Sequence, residues 1–345
     1  MNKIFFFFLF LLPLSLIAQR TIAFEGLSEK EEIYFYKDKP FTGKSIRKHV
    51  NNKKAQEAQW KDGKLHGTKR EWWKSGAIRE SINFVAGYRH GEFSRYYDNG
   101  ALKIKGTYEK NLLEGPFYGF FRNGNKEYLY HYKQSIKDGM STTYFDYSKK
   151  QSFADVGYKE QEVLYVNGVP HGELNSYYRA GNPRRTINYE MGILNGPSMM
   201  YHINANPADE SYYKMGKRDS IRRVYDNLIG TLISQEYYID GKKDGPWISF
   251  DQMGDTITLT HYKNDQLHGT YTSYIDNEVN NYGEYVNGKK DGAWKTGLAN
   301  NYRRTNGSYD MGTEVGEWIY YDIDGKKLMR RVFDSEGYIT EEDIY

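Results

Sequence analysis

The sequence predicts an all-β chain, an elongated and twisted antiparallel sheet of tandem β-hairpins that repeat about every 24 residues. Three observations predict it. An aromatic residue recurs at Trp60, Phe84, Tyr108, Tyr132, Tyr165, Tyr189, Tyr213, Tyr238, Tyr262, Tyr285, Tyr309 and Phe333, mostly in steps of 24, as from Trp60 to Phe84. Glycines stand at fixed distances behind these heads: three places on, as at Gly63, Gly87, Gly192 and Gly288, and seven places on, as at Gly67, Gly91, Gly115 and Gly292. Between the turns the side chains alternate. Leu102, Ile104 and Tyr108 fall on one face, and Lys103, Lys105 and Thr107 on the other, which is the period of a strand.

Composition narrows the reading. A chain of 345 residues would ordinarily suggest two domains, but a repeat array can be any length because each unit packs on its neighbours. Its 34 tyrosines, 17 phenylalanines and 6 tryptophans separate it from disordered chains, which are poor in aromatics. They suit thin β structure, in which Tyr and Trp bury a ring and keep a polar atom near water. The net charge is only +3, with cations and carboxylates interleaved, so no basic stripe marks a nucleic-acid binder. The same interleaving argues against electrostatic binding to a membrane surface. There are no cysteines, which removes disulfides, thiolate metal sites and a cysteine nucleophile.

The N-terminal residues 1–18 read as a signal peptide. Lys3 is followed by an apolar run from Ile4 to Leu12 and a small residue, Ala18, at the expected cut. The run is short of the roughly 20 residues that a spanning helix needs, which favours cleavage over retention as an anchor. Export to the periplasm, the outer membrane or the exterior is the corresponding expectation. Residues 19–33 form an irregular lead-in, and residues 34–59 a degenerate capping repeat with Tyr34, Phe41 and Gly43 as its remnants. A worn end unit is expected where a repeat core meets water.

The array proper runs over residues 60–332. The first glycine of a unit supplies a positive φ in a tight turn, and the second admits a bulge or a close backbone approach. A second turn follows each first strand, as at Asp98-Asn99-Gly100 and Asp324-Gly325. Each unit therefore holds two turns and two short strands. Phe93, Phe117, Leu174, Trp247, Tyr271, Trp294 and Trp318 occupy one equivalent place in the first strand and are expected to form a ladder along one face. The unit headed by Tyr213 has Ser220 where the second glycine belongs and is the weakest copy. Between Tyr132 and Tyr165 the step grows to 33, a longer hairpin with its insertion near residues 149–160. Residues 333–345 are acidic and are expected to cap the last edge.

Trp60-Lys61-Asp62-Gly63-Lys64-Leu65-His66-Gly67 and Tyr285-Val286-Asn287-Gly288-Lys289-Lys290-Asp291-Gly292 together resemble the MORN repeat, in the bacterial variant form of the family. The resemblance covers residues 34–340 and is weakest in the units headed by Tyr132, Tyr189 and Tyr213. It implies consecutive β-hairpins in one sheet, and a scaffold or interaction module rather than an enzyme. Some relatives carry an antitoxin-like label, which implies an inhibitor of a protein toxin as one alternative.

Catalytic chemistry finds little footing. His66, His90, His171 and His268 all precede a second glycine, where other units have Glu114, Asp138, Asn195, Asp244 and Asp291. Histidine there is one of several polar turn residues rather than a zinc ligand. Asp322, Asp324 and Gly325 lack the later ligands of a calcium loop. No nucleophile elbow, phosphate loop or dinucleotide fingerprint occurs. No cofactor is expected. The predicted function is that of a non-enzymatic repeat protein whose long face binds a protein or an envelope component. Carbohydrate binding through exposed rings is the alternative. Candidate surface residues are Trp72, Trp73, Tyr97, Phe121 and Tyr178, with Phe153 and Tyr158 in the long hairpin. Trp72-Trp73 is the one tandem tryptophan of the chain.

Overall fold

The computed structural model describes residues 20–147, 158–299 and 303–345. The signal segment, Phe153 and most of the insertion lie outside them. Strands dominate: 29 of them form one open sheet, and three short ones, Ser28–Lys30, Ile33–Tyr36 and Lys39–Pro40, form a second. A three-residue 3₁₀ turn, Phe24–Gly26, is the only helical element among the described residues. Consecutive strands pair antiparallel through the array, as Ile78–Val85 with Tyr88–Tyr96 and Tyr88–Tyr96 with Leu102–Glu109. The chain divides into two compact units, Met1–Ile136 with Asp146–Ser148, and Lys137–Phe145 with Lys149–Tyr345.

The two glycines of each repeat have separate tasks. Val85 pairs with Tyr88, so Ala86 and Gly87 form a two-residue hairpin loop. Their φ angles of 50° and 89° are those of a type I′ turn, whose twist matches that of the flanking strands. The second glycine sits in a bulge. Arg89 pairs with Phe84 and Phe93 with Ile82, so three residues, His90 to Glu92, face Asn83 alone. Gly91 lies within it at φ 90°, and the extra residues swing Phe93 over the preceding strand.

The core is a single row of side chains. The residue two places before the head is buried in several repeats: Ala58, Ile82, Val163 and Ile187 are at most 7% exposed. The first-strand place pairs across to the same position of the next repeat, as Leu174 with Ile187 and Phe93 with Gly106. The volumes compensate. Beneath two of the tryptophans the facing residue is glycine: Gly283 lies under Trp294, and Gly307 under Trp318. The expected ladder of first-strand rings is present in part, with Phe93 and Phe117 6.1 Å apart and Tyr271 stacked 5.7 Å from Trp294. Elsewhere the head aromatics stand between these rings, as edge-to-face contacts carry the row from Trp294 to Tyr309 at 6.0 Å and from Tyr309 to Trp318 at 5.0 Å. From Tyr271 to Phe333 a ring at every half-repeat fills a layer one side chain deep.

The weakest copy keeps the position and changes its chemistry. Arg222 occupies the first-strand place and pairs with Glu236. Its guanidinium bonds Glu236 at 2.9 Å and Asp209 at 2.6 Å, and the Tyr238 hydroxyl donates to Glu236 at 2.9 Å. Glu236 is 6% exposed. Trp247, facing this carboxylate rather than a glycine, leaves its Nε1 buried and unbonded.

The lead-in carries more structure than its composition signals. Thr21–Ala23 runs parallel to Gly43–Lys48, and Ile22, Phe24 and Leu27 pack on the buried Phe41, Ala58 and Trp60. At the other end the acidic strand Ile339–Ile344 pairs with Lys327–Phe333. Arg330 there bonds Glu341 and Asp343, and Arg331 bonds Glu342.

Candidate functional site

The recurring polar residues mostly serve the array itself. The residue before the second glycine accepts a hydrogen bond from the backbone of the next repeat's first turn. Glu114 accepts from the Gln134 N–H at 2.9 Å, Asp291 from Met311 at 3.1 Å, and Asn195 from Met215 at 3.3 Å. His66 and His171 do the same through Nδ1, from Ala86 and Met191 at 3.4 Å. One acceptor atom at one place is all the site requires, which explains why His, Glu, Asp and Asn interchange there. The first glycine returns a bond to the preceding repeat: Gly87 N–H donates to the Leu65 carbonyl, and Gly216 N–H to that of Leu194, each at 2.8 Å.

The second turns are joined in the same way. The Asn99 amide donates to the Arg122 carbonyl at 3.2 Å, and Asn204 to that of Asn227 at 2.9 Å. Tyr97 and Tyr178 belong to this set. Their hydroxyls donate to the carbonyls of Phe120 at 2.9 Å and Tyr201 at 2.8 Å. His49 meets the Trp72 carbonyl at the equivalent place, 2.9 Å away.

One cleft breaks the pattern. It lies within the first compact unit, has a volume of about 430 Å³, and is lined by Trp73, Arg79, Glu80, Arg95, Tyr96, Tyr97, Asp98, Lys103 and Arg122. Strand pairing sets Arg95 opposite Glu80, and Arg95 Nε bonds the carboxylate at 2.5 Å. That bond raises the pKa of the guanidinium above its ordinary value. Arg122 bonds Asp98 of the preceding repeat and holds its carboxyl below the usual carboxylate range. Burial pushes the Tyr97 phenol up. Lys103 Nζ lies 5.3 Å from the Tyr97 ring centroid and Arg79 5.5 Å from that of Trp73, both within cation–π range. The Trp73 Nε1 is buried with no hydrogen-bond partner.

Of the sequence candidates, the cleft brings together Trp73 and Tyr97. Trp72 is half-buried at the end of its strand, with Lys54 Nζ 5.5 Å from its ring. Phe121 is half-buried and closes its own turn, its N–H donating to the Asn125 carbonyl. Tyr158 and Tyr178 lie in the second unit, where Tyr158 is exposed and rests beside Gly181, just after Tyr178. Phe153 falls outside the described residues. The cleft's cations were not among the sequence candidates. A signal for one of them exists: the eleventh place after the head is Arg only at Arg95, against Gly119, Thr143, Ser176, Ser249 and Ser273 in other repeats.

Among the described residues no group of three His, Asp or Glu is placed to hold a metal ion, and no helix is long and apolar enough to cross a membrane.

No curated protein matches the chain. Solved structures that do match include crystal structures of TcdB2-TccC3-Cdc42 and of TcdB2-TccC3, at 8% and 9% identity, each with a TM-score of 0.18. The matches cover 91% and 88% of this chain, which spans about a fifth of those chains (21% in each case). Residues 89–110, which contain the His90-Gly91 bulge, Phe93 and Tyr108, match the family model described as MORN repeat variant. The chain thus carries a MORN repeat of the variant type, in the register that its head aromatics and paired glycines define.

Proposed function

We propose that the chain is an exported, non-enzymatic scaffold that binds a protein or an envelope component through its repeat array. The observation that carries this reading is the stapling of neighbouring repeats. Turn acceptors such as Glu114 and Asp291, and turn donors such as Asn99 and Tyr97, are spent on holding adjacent turns in register. A surface fixed in this way loses little conformational entropy on binding. The test is saturable binding of the purified chain to a purified component of the envelope fraction, with cell fractionation to place the chain. Retention of the chain in the cytoplasm, or turnover of a defined substrate without any such binding, would contradict the proposal.

A second reading, carbohydrate binding, is favoured by the cleft, where Trp73, Tyr96 and Tyr97 line one cavity. A glycan-array screen of the full chain tests it, and the absence of any saccharide signal would remove it.

A further inference from the structure

The cleft between Trp73 and Arg122 carries a charge that its own residues do not balance. Four of its lining residues are cationic, Arg79, Arg95, Lys103 and Arg122, and two are acidic, Glu80 and Asp98, which leaves two net positive charges. Each guanidinium spends part of its fork on a carboxylate: Arg79 on Glu71 at 2.7 Å, Arg95 its Nε on Glu80, and Arg122 one terminal nitrogen on Asp98. A guanidinium has five N–H donors, so each retains donors beyond these bonds. Lys103 is exposed and bonds no carboxylate among the described residues.

We propose that this cleft binds an acidic saccharide, with the carboxylate of a hexuronate-type ring held by Lys103 and the free edge of Arg95 or Arg122. The inference rests on the carbohydrate reading above and names the class of sugar. A carboxylate entering here makes charge-assisted hydrogen bonds, which are about twice as strong as neutral ones. The apolar C–H face of the pyranose meets the rings of Trp73 and Tyr96. The volume of about 430 Å³ lies within the roughly 300–1,000 Å³ of small-ligand sites. A nucleic acid is the poorer fit. Its backbone needs cations spread along a groove, whereas these are gathered in one cleft of a chain whose net charge is only +3.

The experiment is isothermal titration of the full chain with tetragalacturonate, with its methyl ester as the neutral counterpart, and with a single-stranded oligothymidylate. The acid is expected to bind, and the ester to bind about tenfold more weakly or worse, since a hydrogen bond to a charged group is being lost. Lys103→Ala should weaken the acid roughly tenfold and leave the ester unaffected. Its thermal midpoint should not move, because the side chain is exposed. Lys103→Glu should abolish binding of the acid. Equal affinity for acid and ester would overturn the inference and leave carbohydrate binding standing. Silence from both sugars at millimolar concentration would overturn the two together. Tighter, steeply salt-dependent binding of the oligothymidylate would overturn the inference in favour of nucleic acid. Unchanged affinity in a folded Lys103→Glu variant would place the sugar elsewhere.

Discussion

Replacing Gly307 by alanine tests whether the fit between rings and glycines holds the array together. A Cβ built on Gly307 falls 2.0 Å from Cδ2 and 2.2 Å from Cε2 of Trp318. Non-bonded carbon atoms rest at about 3.5–4.0 Å, so the ring would have to retreat by more than 1 Å. It has little freedom to do so. Trp318 is 4% exposed, its Nε1 donates to the Ser308 carbonyl at 3.2 Å, and its ring meets Tyr309 at 5.0 Å and Phe333 at 6.4 Å. Overpacking of this kind costs ~1–3 kcal/mol. The backbone itself does not object, because Gly307 is outside the positive-φ set. At such a position Gly→Ala ordinarily stabilises by ~0.4–1 kcal/mol, through the entropy of the unfolded chain. The sign therefore distinguishes the two accounts. Urea unfolding followed by far-ultraviolet circular dichroism and tryptophan fluorescence should show Gly307→Ala less stable than the parent. In a Trp318→Leu background the same change should be neutral or stabilising, a coupling of ~1–3 kcal/mol. Equal destabilisation in both backgrounds would refute the packing argument.

Other expectations follow from named contacts. Arg222→Met leaves Glu236 buried without its cation and should cost ~3–5 kcal/mol, whereas Arg222→Met with Glu236→Leu should recover most of it. A double variant no more stable than the single one, by denaturant midpoint, would contradict this. Glu114→Ala removes the acceptor for the Gln134 N–H and should cost ~0.5–1.5 kcal/mol. Glu114→Gln keeps an acceptor and should cost little, and equal losses in thermal melts would speak against the acceptor role. Alkali should unfold the chain through its tyrosines. Burial pushes the phenols of Tyr128 and Tyr177 up to about 12, against about 10 in an unfolded chain. Folded pKa values above the unfolded ones contribute stability below pH 10 that is lost as the pH rises from about 10 to 12. Midpoints that stay flat over that window would exclude the linkage, as would ionisation of every phenol near pH 10, followed at 295 nm, in a still-folded chain.

The fold is largely written in the period. Two-residue alternation, glycine at the third and seventh places, and a ring at each head suffice for hairpins, I′ turns and bulges, because each is a local backbone preference with its own residue type. The interleaving of Tyr309 between Trp294 and Trp318 was not legible, since ring order depends on how far the bulge swings each side chain. The parallel strand Thr21–Ala23 was also hidden. Its few residues show no alternation, and its partner Gly43–Lys48 is adjacent only after folding. At the candidate site, aromatic patterning pointed to Trp73 and Tyr97 but not to their charged neighbours. Arg79, Arg95, Lys103 and Arg122 come from different strands and turns and look like ordinary solvated cations when read along the chain. Only pairing across the sheet, Arg95 opposite Glu80, gathers them.

Hydrogen exchange at the first-turn glycines tests the stapled array most directly. The amides of Gly87, Gly192, Gly216, Gly288 and Gly312 sit at exposed hairpin tips, where free turns exchange at nearly the rate of coil. Here each donates to a carbonyl of the preceding repeat at 2.7–2.8 Å, Gly87 to Leu65, Gly192 to Pro170, Gly216 to Leu194, Gly288 to Leu267 and Gly312 to Lys290. Amide-resolved exchange should therefore show these glycines protected to nearly the level of the adjoining strands. Exchange of the five amides at coil rates, while the strands stay protected, would mean hairpins that merely lie side by side and would contradict the account.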